Sequence, residues 1–295
     1  MPLVSRRYVL IVNPSSGGGR AAKVLPAVEA ELRARGLEFR TATTRDLPHV
    51  GDLAREAAAA GETPVVLSGD GCVGAVAGAL SGNGAAVMGV LPGGRGNDFA
   101  RVAGIPRDPV AAVAVLVDGV ERPVDLGEVD GRPFIGIASL GFDSEANRRA
   151  NEAPARLGPL VYAYGALGAL VAWRHAAFTV TVDGEERSFQ GWSVAAANSK
   201  AYGGGMFLAP DASFADGALD VVLSRASSKA HFLRMLPRVF KGTHVADPQV
   251  EVLRGAVVRV AADRPFTVYA DGDPIGELPA TIRCVPAAVR VILPA

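Results

Sequence analysis

A short apolar segment that ends in a Gly-Asp-Gly turn restricts the fold of this chain more than any other feature. Residues 64–68 have the length and β-branched content of a buried parallel strand, and they stop at Gly69, Asp70 and Gly71. Apolar residues then recur at helical spacing as far as residue 80. A strand, a glycine turn and a helix in this order aim free N–H groups and the positive helix end at one point. The pattern predicts a phosphate site, with a tight packing corner as the alternative.

Strand and helix patterns alternate through the first 127 residues, which we interpret as an N-terminal domain. Buried strands are predicted at residues 8–12, 37–41, 64–67 and 86–91, and helices at residues 21–35 and 47–60. Glycine-rich turns follow three of the strands, at residues 13–19, 69–74 and 93–98. This alternation is typical of a parallel sheet, in which the carboxyl ends of the strands meet at one edge. We therefore expect the three turns to lie together.

Short alternating runs replace this pattern in residues 128–295, which we interpret as a second domain. They predict antiparallel strands at residues 134–138, 178–182, 188–197, 219–223, 249–253, 257–261, 265–269 and 280–284. A few helices are expected among them, and roughly the last 12 residues are expected to pack back on the first domain. Residues 228–241 predict a basic amphipathic helix that is either half-buried or placed on a membrane surface.

Composition limits the classes of partner. Basic and acidic residues number 30 each among 295, so the chain lacks the basic excess typical of nucleic-acid-binding proteins. Cys72 and Cys284 lie far apart and outside metal-ligand spacing, which predicts a reduced, cytoplasmic protein. The start carries no signal-peptide pattern, and the uncharged residues 157–173 include proline, glycine and tyrosine. We therefore expect no transmembrane segment.

Two acidic turns in the second half are candidates for chemistry. Asp216 lies in a loop that can hold a divalent ion, although any surface turn favours the same residues. Asp271 and Asp273 follow a predicted strand, where a carboxylate can act as general base toward a hydroxyl; a plain hairpin is the alternative. The sequence has no Ser/His/Asp pattern with a nucleophile elbow and no Walker-type lysine motif. Backbone amides and carboxylate-bound Mg²⁺ would therefore hold any nucleotide.

Seven sequence blocks resemble, in their order, the diacylglycerol kinase catalytic-domain family, whose members are bacterial lipid kinases related to sphingosine and ceramide kinases and, more distantly, to NAD kinases. The blocks are NPSSGGG at 13, SGDG at 68, LPGGRGNDFAR at 91, GFD at 141, NSKAYGGGMFLAPDASFADGALDVV at 198, KGTH at 241 and DGDPIGELPATIRCVP at 271. The resemblance covers nearly the whole chain. It implies an NAD-kinase-like or Rossmann-like α/β domain, a C-terminal antiparallel β-sandwich, and ATP-dependent phosphorylation of a lipid hydroxyl in the cleft between them.

The resemblance also implies roles for particular residues. The nucleotide site would comprise Asn13, Gly69, Asp70, Gly71, Cys72, Gly94, Arg95, Gly96, Asn97 and Asp98. The Mg²⁺ site would comprise the Asp216 carboxylate and the backbone carbonyls of Phe214 and Leu219. Asp271 matches the catalytic base, and Asp273 stands where the family usually has glutamate. An acidic network linking the domains would comprise Asp98, Asp125 and Asp143.

Further departures from the family pattern fall in two of the glycine turns. Cys72, Gly74 and Ala75 replace threonine, asparagine and glutamate, and Arg95 replaces threonine. A thiol is a weaker hydrogen-bond donor than a hydroxyl, and alanine can hold neither a cation nor a base. Arg95 either contacts phosphate directly or fills the site and blocks ATP.

The expected function is ATP- and Mg²⁺-dependent transfer of the γ-phosphate to a diacylglycerol-like lipid, by a protein that meets its substrate at the membrane surface. Two alternatives stay open at this point. One is a relative that binds nucleotide or lipid without turnover, and the other is a kinase that acts on a soluble alcohol.

Overall fold

Four parallel strands form the N-terminal part of the molecule. The structure, a computed structural model, describes residues 6–151 and 161–295. The strands are β1 (Arg7–Val12), β2 (Glu38–Thr43), β3 (Thr63–Ser68) and β4 (Val87–Pro92). The helices are α1 (Ser16–Ala34), α2 (Leu47–Ala59), α3 (Asp70–Leu80), α4 (Asp98–Val102) and α5 (Pro109–Asp118). Strands β1 and β3 are buried almost throughout, because helices pack against the sheet.

The strand order β4-β3-β1-β2 places a topological switch point between β1 and β3. The chain leaves β1 toward β2 and then returns to the other side of β1 to form β3. The connections that leave β1 and β3 therefore diverge to opposite faces and open a crevice at the carboxyl edge of the sheet. Strand β4 pairs in parallel with β3, so its loop ends at the same edge.

Antiparallel strands form the C-terminal part. They are β5 (Val120–Val129), β6 (Arg132–Phe134), β7 (Ile137–Gly141), β8 (Ala176–Val182), β9 (Glu185–Ala197), β10 (Leu219–Arg225), β11 (Val250–Gly255), β12 (Val257–Ala262), β13 (Thr267–Ala270), β14 (Asp273–Glu277) and β15 (Ala280–Leu293). The helices here are α6 (Phe142–Asn151), α7 (Val161–Ala172) and α8 (Lys229–Val239). The predicted fold class, a parallel α/β part followed by an antiparallel β-sandwich with a few helices, is confirmed.

Strand β15 joins the two parts. Its first half pairs with β12 and places Ile282 in the core of the sandwich. Its second half pairs in parallel with β4 at Arg290 and places Val291 in the core of the parallel sheet. Strand β5 runs antiparallel beside most of β15 and passes through residue 127 without a break. Strand β5 was not predicted from the sequence, because its acidic residues and proline hide the alternation that pairing with β15 imposes.

Among the helices of the described residues, none combines the length and the apolar composition needed to cross a bilayer. The uncharged segment at residues 157–173 lies partly outside the described residues. Its described part includes the end of α7, where Leu167 and Val171 are exposed to solvent.

Candidate active site

The three glycine turns meet at the carboxyl edge of the parallel sheet. A Cβ atom built on Gly17 would lie 2.7 Å from the carbonyl oxygen of Gly93, and one built on Gly94 would lie 2.4 Å from the Cα atom of Gly69. Gly17 also has a φ of 62°, which a residue with a side chain rarely adopts. Contact between the backbones of the loops after β1, β3 and β4 therefore requires glycine at these positions.

Backbone N–H groups converge at this contact. Asp70 and Gly71 open α3, so their N–H groups have no acceptor within the helix. The N–H groups of Arg95, Gly96 and Asn97 donate no hydrogen bond to the residues that the structure describes. The side chain of Asn97 shapes this loop, because its Oδ1 accepts the N–H of Gly94 at 2.8 Å and its Nδ2 donates to the Gly94 carbonyl at 3.0 Å. A set of free donors at a helix N-terminus suits a phosphate group.

The Asp70 side chain holds the start of α4 beside the Gly-Asp-Gly turn. Its Oδ2 accepts the N–H of Asp98 at 3.0 Å, and its Oδ1 accepts the N–H of Phe99 at 2.9 Å. The Asp70 carboxylate therefore caps α4 from a different element. This interaction gives Asp70 a structural role in shaping the edge of the sheet.

Asp98 is buried at the boundary between the two parts of the molecule. Its Oδ2 accepts the N–H of Gly204 at 2.8 Å, whereas its buried Oδ1 accepts no hydrogen bond and lies 3.5 Å from Arg101 Nε. Burial raises the pKa of Asp98, and the nearby Asp70 charge raises it further, against the opposing effect of the Gly204 N–H. A buried carboxylate oxygen without a hydrogen bond is a candidate ligand for a cation.

Asp271 lies at the turn after β13 and has a φ of 53°. Its Oδ2 accepts the N–H of Ile135 at 2.9 Å, and its Oδ1 accepts the N–H of Gly136 at 2.9 Å. Burial raises the pKa of Asp271 to about 7, and the charges of Asp70 and Asp273 add to this shift, although the two backbone donors oppose it. A carboxylate with a pKa near neutrality is suited to accept a proton.

Glycines in α3 and before β7 leave room for the Asp271 carboxylate. A Cβ atom on Gly74 would lie 2.8 Å from Asp271 Oδ2, and one on Gly136 would lie 2.5 Å from Asp271 Oδ1. A Cβ atom on Gly71 would lie 2.8 Å from Asp273 Oδ2. Asp271 and Asp273 therefore both face the glycine side of α3, and burial also raises the pKa of Asp273. Gly74 was predicted only as the loss of an amide side chain, and Ile135 and Gly136 were not predicted as site residues.

Asn13 and Cys72 connect the first turn to α3. The Oδ1 of Asn13 accepts the N–H of Ser15 at 3.0 Å, and its Nδ2 lies 3.7 Å from the buried Sγ of Cys72 in a weak hydrogen bond. Cys72 thus acts as a buried packing residue at the base of the crevice. Its position explains how a thiol can replace a hydroxyl here without leaving a polar group unpaired.

Arg95 extends beside the first glycine turn. Its Nη2 atom lies 3.8 Å from the place that a Cβ atom on Gly18 would occupy. The guanidinium lines a cleft together with Arg20, Arg101 and Arg107. The substitution at position 95 therefore adds a cation to the edge where free backbone donors already converge.

The predicted Mg²⁺ ligands occupy a different environment. Asp216 Oδ2 lies 2.5 Å from Arg254 Nη2 in an ion pair, and the Phe214 carbonyl accepts the N–H of Asp125 at 2.7 Å. Leu219 begins β10, opposite Gly255. The described residues contain no group of three or more His, Cys, Asp or Glu arranged to hold a metal ion. In this arrangement the Asp216 carboxylate is paired with the exposed Arg254, the assignment of these three residues to Mg²⁺ stays a prediction, and we derive no chemical step through it.

Two members of the predicted acidic network, Asp98 and Asp125, connect the N-terminal part of the chain to the C-terminal part. Asp98 contacts Gly204, and Asp125 accepts the N–H of Gly217 and the N–H of Ala287, each at 2.7 Å. Asp143 differs, since its partners Ser193 and Tyr202 both belong to the C-terminal part.

An apolar cavity in the C-terminal part lies next to Asp143. Burial raises the pKa of Asp143 to about 6 and raises that of Tyr202 well above its usual range. The cavity is lined mainly by apolar side chains of α8 and the strands beneath it, among them Phe232, Met235, Leu236 and Val222.

Comparisons with known proteins match both parts of the chain. Residues 7–129 match the family model described as the diacylglycerol kinase catalytic domain, and residues 136–293 match the one described as the YegS C-terminal NAD kinase beta sandwich-like domain. A diacylglycerol kinase from Mycobacterium tuberculosis (strain ATCC 25618 / H37Rv) is 35% identical over 296 residues, covering 98% of this chain and 95% of the relative. The diacylglycerol kinase of Bacillus subtilis (strain 168) is 30% identical over 297 residues, covering 98% and 97%.

The fold is also similar to that of a solved structure. The crystal structure of a diacylglycerol kinase from Bacillus anthracis str. Sterne has a TM-score of 0.74 at 18% identity, covering 98% of this chain and 97% of the other. The family matches, together with the converging glycine turns, lead to one conclusion. The chain belongs to the diacylglycerol kinase catalytic-domain family of lipid kinases.

Proposed function

We propose that the protein transfers the γ-phosphoryl group of ATP to the hydroxyl of a diacylglycerol-like lipid. The observation that carries this proposal is the Asp271 carboxylate, which has a pKa of about 7 and packs against the glycine side of α3, the helix whose N-terminus offers free donors. Phosphoryl transfer to a hydroxyl requires a base and an anion site, and here the base packs against the helix whose N-terminus forms the anion site.

The backbone donors of the turns after β3 and β4 hold the phosphate chain in this proposal. The N-terminus of α3 and the loop at residues 95–97 bind oxygen atoms of the triphosphate. Mg²⁺ would enter with the nucleotide, and the buried Oδ1 of Asp98 would hold it in place of Arg101, whose Nε lies 3.5 Å from that oxygen. When bound, the ion neutralises charge on the phosphate oxygens.

Asp271 accepts the proton of the lipid hydroxyl. As the O–H bond breaks, the hydroxyl oxygen forms a bond to the γ-phosphorus, and the bond from that phosphorus to the β,γ-bridging oxygen breaks to release ADP. The N–H groups of Ile135 and Gly136 fix the carboxylate during this step. Positioning and charge neutralisation supply most of the rate.

The lipid is proposed to enter the apolar cavity beneath α8. This helix exposes Leu233, Leu236 and Phe240 and has no acidic residue, while Lys229, Arg234 and Lys241 add positive charge. Lys229 Nζ donates to the Val171 carbonyl at 2.8 Å, which brings the exposed apolar end of α7 beside α8. An apolar face with a basic margin suits an anionic membrane surface.

The decisive experiment measures transfer of labelled γ-phosphate to diacylglycerol, monoacylglycerol and sphingoid bases in mixed micelles, with glycerol as a soluble alcohol. We expect transfer to diacylglycerol in the presence of ATP and Mg²⁺. Saturable ATP binding without transfer to any acceptor would favour a binding relative without turnover. Faster transfer to glycerol than to every lipid would show that the acceptor is a soluble alcohol and would contradict the proposed lipid acceptor.

The face formed by α7 and α8 has its own test. Sedimentation with vesicles containing anionic phospholipid should capture the wild type, and Leu233→Ser with Phe240→Ser should reduce capture. The control is Val120→Ser, which alters an exposed apolar residue of β5. Equal capture of both variants would remove this face from the proposed route of the lipid.

A further inference from the structure

A cleft of about 260 Å³ lies beside the third glycine turn, at residues 93–98, and is lined by four arginines. They are Arg20 from α1, Arg95 from the turn, Arg101 from α4, and Arg107 from the loop before α5. Among the residues that the structure describes, Asp108 is the only acidic one that lines this cleft. The overall charge balance of the chain gives no reason to expect such a local excess of one sign.

Two of the lining residues already have partners. Arg101 lies 3.5 Å from Asp98 Oδ1 and donates to the Gly96 carbonyl at 3.2 Å. The carboxylate of Asp108 caps α5, where its oxygens accept the N–H groups of Val110 at 3.4 Å and Ala111 at 3.3 Å. Asp108 is therefore turned toward the start of α5 and forms no ion pair with the arginines of the cleft in the described part of the chain.

Three guanidinium groups of the cleft remain without a partner. Arg20, Arg95 and Arg107 make no hydrogen bond and no ion pair with any residue within 6–151 or 161–295. Like charges that share one concave surface repel each other unless an anion lies between them. A guanidinium fork binds the oxygens of a phosphate group in a bidentate geometry, which favours phosphate over a simple halide.

The position of Arg95 links this cleft to the backbone donors. Its Nη2 lies against the first glycine turn, and the N–H groups of Arg95, Gly96 and Asn97 are free on the same loop. The lining offers no aromatic ring to stack on a nucleobase, since only Pro92 and Ala100 add apolar surface. The cleft therefore suits a chain of phosphate groups and does not suit a base.

We propose that Arg20, Arg95 and Arg107 form a polyphosphate-binding subsite that extends the glycine turns. The ligand is a chain of phosphate groups, supplied either by a nucleoside triphosphate or by free inorganic phosphates. Arg95 thus contributes binding energy at a position where the family has threonine. The identity of the nucleotide donor rests on the proposed function, whereas the anion site itself does not.

Calorimetric titration with tripolyphosphate in metal-free buffer tests the subsite directly. The double variant Arg95→Gln with Arg107→Gln should weaken binding at least tenfold, and adding Arg20→Gln should weaken it further. The matched control, Arg122→Gln with Arg283→Gln, removes two exposed arginines that do not line the cleft and should bind as the wild type does. A change of less than twofold in the double variant, with unaltered thermal unfolding, would overturn the proposal.

Competition with a non-hydrolysable ATP analogue identifies the source of the phosphates. If the analogue displaces tripolyphosphate and loses affinity in the same double variant, the subsite holds the phosphate chain of the nucleotide. If the two bind together, the subsite holds free inorganic phosphates; both results support the subsite. Tripolyphosphate binding that depends on the arginines in a protein without kinase activity would refute the proposed function and leave the subsite intact.

Discussion

Two Asp-Gly turns of the C-terminal part hold their carboxylates in opposite ways. Asp216 is paired with Arg254, and its side chain retains 27% of its exposure. Asp271 has no basic partner among its described contacts; it accepts two backbone N–H groups and packs against glycine. The Asp216 carboxylate is therefore paired with the positive charge of Arg254. Among the described contacts, the Asp271 carboxylate is stabilised by backbone N–H dipoles alone.

This difference decides which of the two carboxylates can act as a general base. A guanidinium occupies one oxygen of the Asp216 carboxylate, whereas burial against like charges raises the pKa of the Asp271 carboxyl. The pKa of Asp271 is therefore about 7, and Asp70 and Asp273 contribute to that value. The two Asp-Gly turns look equivalent in sequence. A carboxylate in such a turn becomes a proton acceptor near neutral pH only where its surroundings exclude water and supply no positive charge.

The largest expected effect comes from Asp271→Asn. Because an amide cannot accept the proton of the lipid hydroxyl, kcat should fall by roughly a hundredfold to ten-thousandfold. The measurement is transfer of γ-phosphate to diacylglycerol in micelles, with circular dichroism to check folding. A variant as fast as the wild type would remove Asp271 from the role of base, and Asp273→Asn would then be the next variant to examine.

Gly74→Ala should have the next largest effect. A methyl group at this position meets Asp271 Oδ2 at 2.8 Å, so the carboxylate must move, and a displacement of about 1 Å can lower kcat by about a hundredfold. The displaced group regains water, so the pH inflection of kcat should shift to lower pH. Alanine is a better helix former than glycine, which argues against loss of α3 as the cause.

The control for this variant is Gly84→Ala, because a Cβ atom there meets no other atom within 4 Å. Its kcat and pH inflection should equal those of the wild type. An unchanged inflection in Gly74→Ala, even with lower activity, would contradict the idea that Gly74 sets the position of the Asp271 carboxylate.

A smaller effect on kcat is expected from lowering the pH. Asp271 must be ionised to accept a proton, so kcat should fall as the pH decreases through about 7. For one group the ionised fraction falls from about a half to about a tenth over the next pH unit, so kcat should decrease about fivefold between pH 7 and pH 6. Asp216→Asn should show the same profile. A flat profile down to pH 5 would show that no carboxyl with a raised pKa limits the rate.

The smallest effect is expected from Asp216→Asn itself. Its partner Arg254 is 54% exposed, and such ion pairs contribute at most about 1 kcal/mol to the free energy of unfolding. Activity should stay within about twofold of the wild type, and the thermal midpoint should respond to Mg²⁺ equally in both proteins. A Mg²⁺-dependent increase in midpoint seen only in the wild type would restore Asp216 as a metal ligand and narrow the contrast between the two turns.

Local patterns in the sequence were sufficient to predict the parallel part of the fold. Uncharged strands and glycine turns are visible as contiguous segments, and the rule that carboxyl ends of parallel strands share an edge brought the three turns together. Strands β5 and β14 were missed because their residues carry charge or proline and take extended structure only by pairing with distant strands. Such pairings are set by partners far along the chain.

The sequence by itself determined the fold class, the convergence of the glycine turns and the candidate acidic turns, because each depends on residues that are neighbours along the chain. Only the tertiary structure decided that Asp271 meets the N–H groups of Ile135 and Gly136, that Asp216 meets Arg254, and that three unpaired arginines share one cleft. The pKa and charge balance of a site depend on atoms within a few ångströms, and those atoms come from segments more than a hundred residues apart in the case of Asp271.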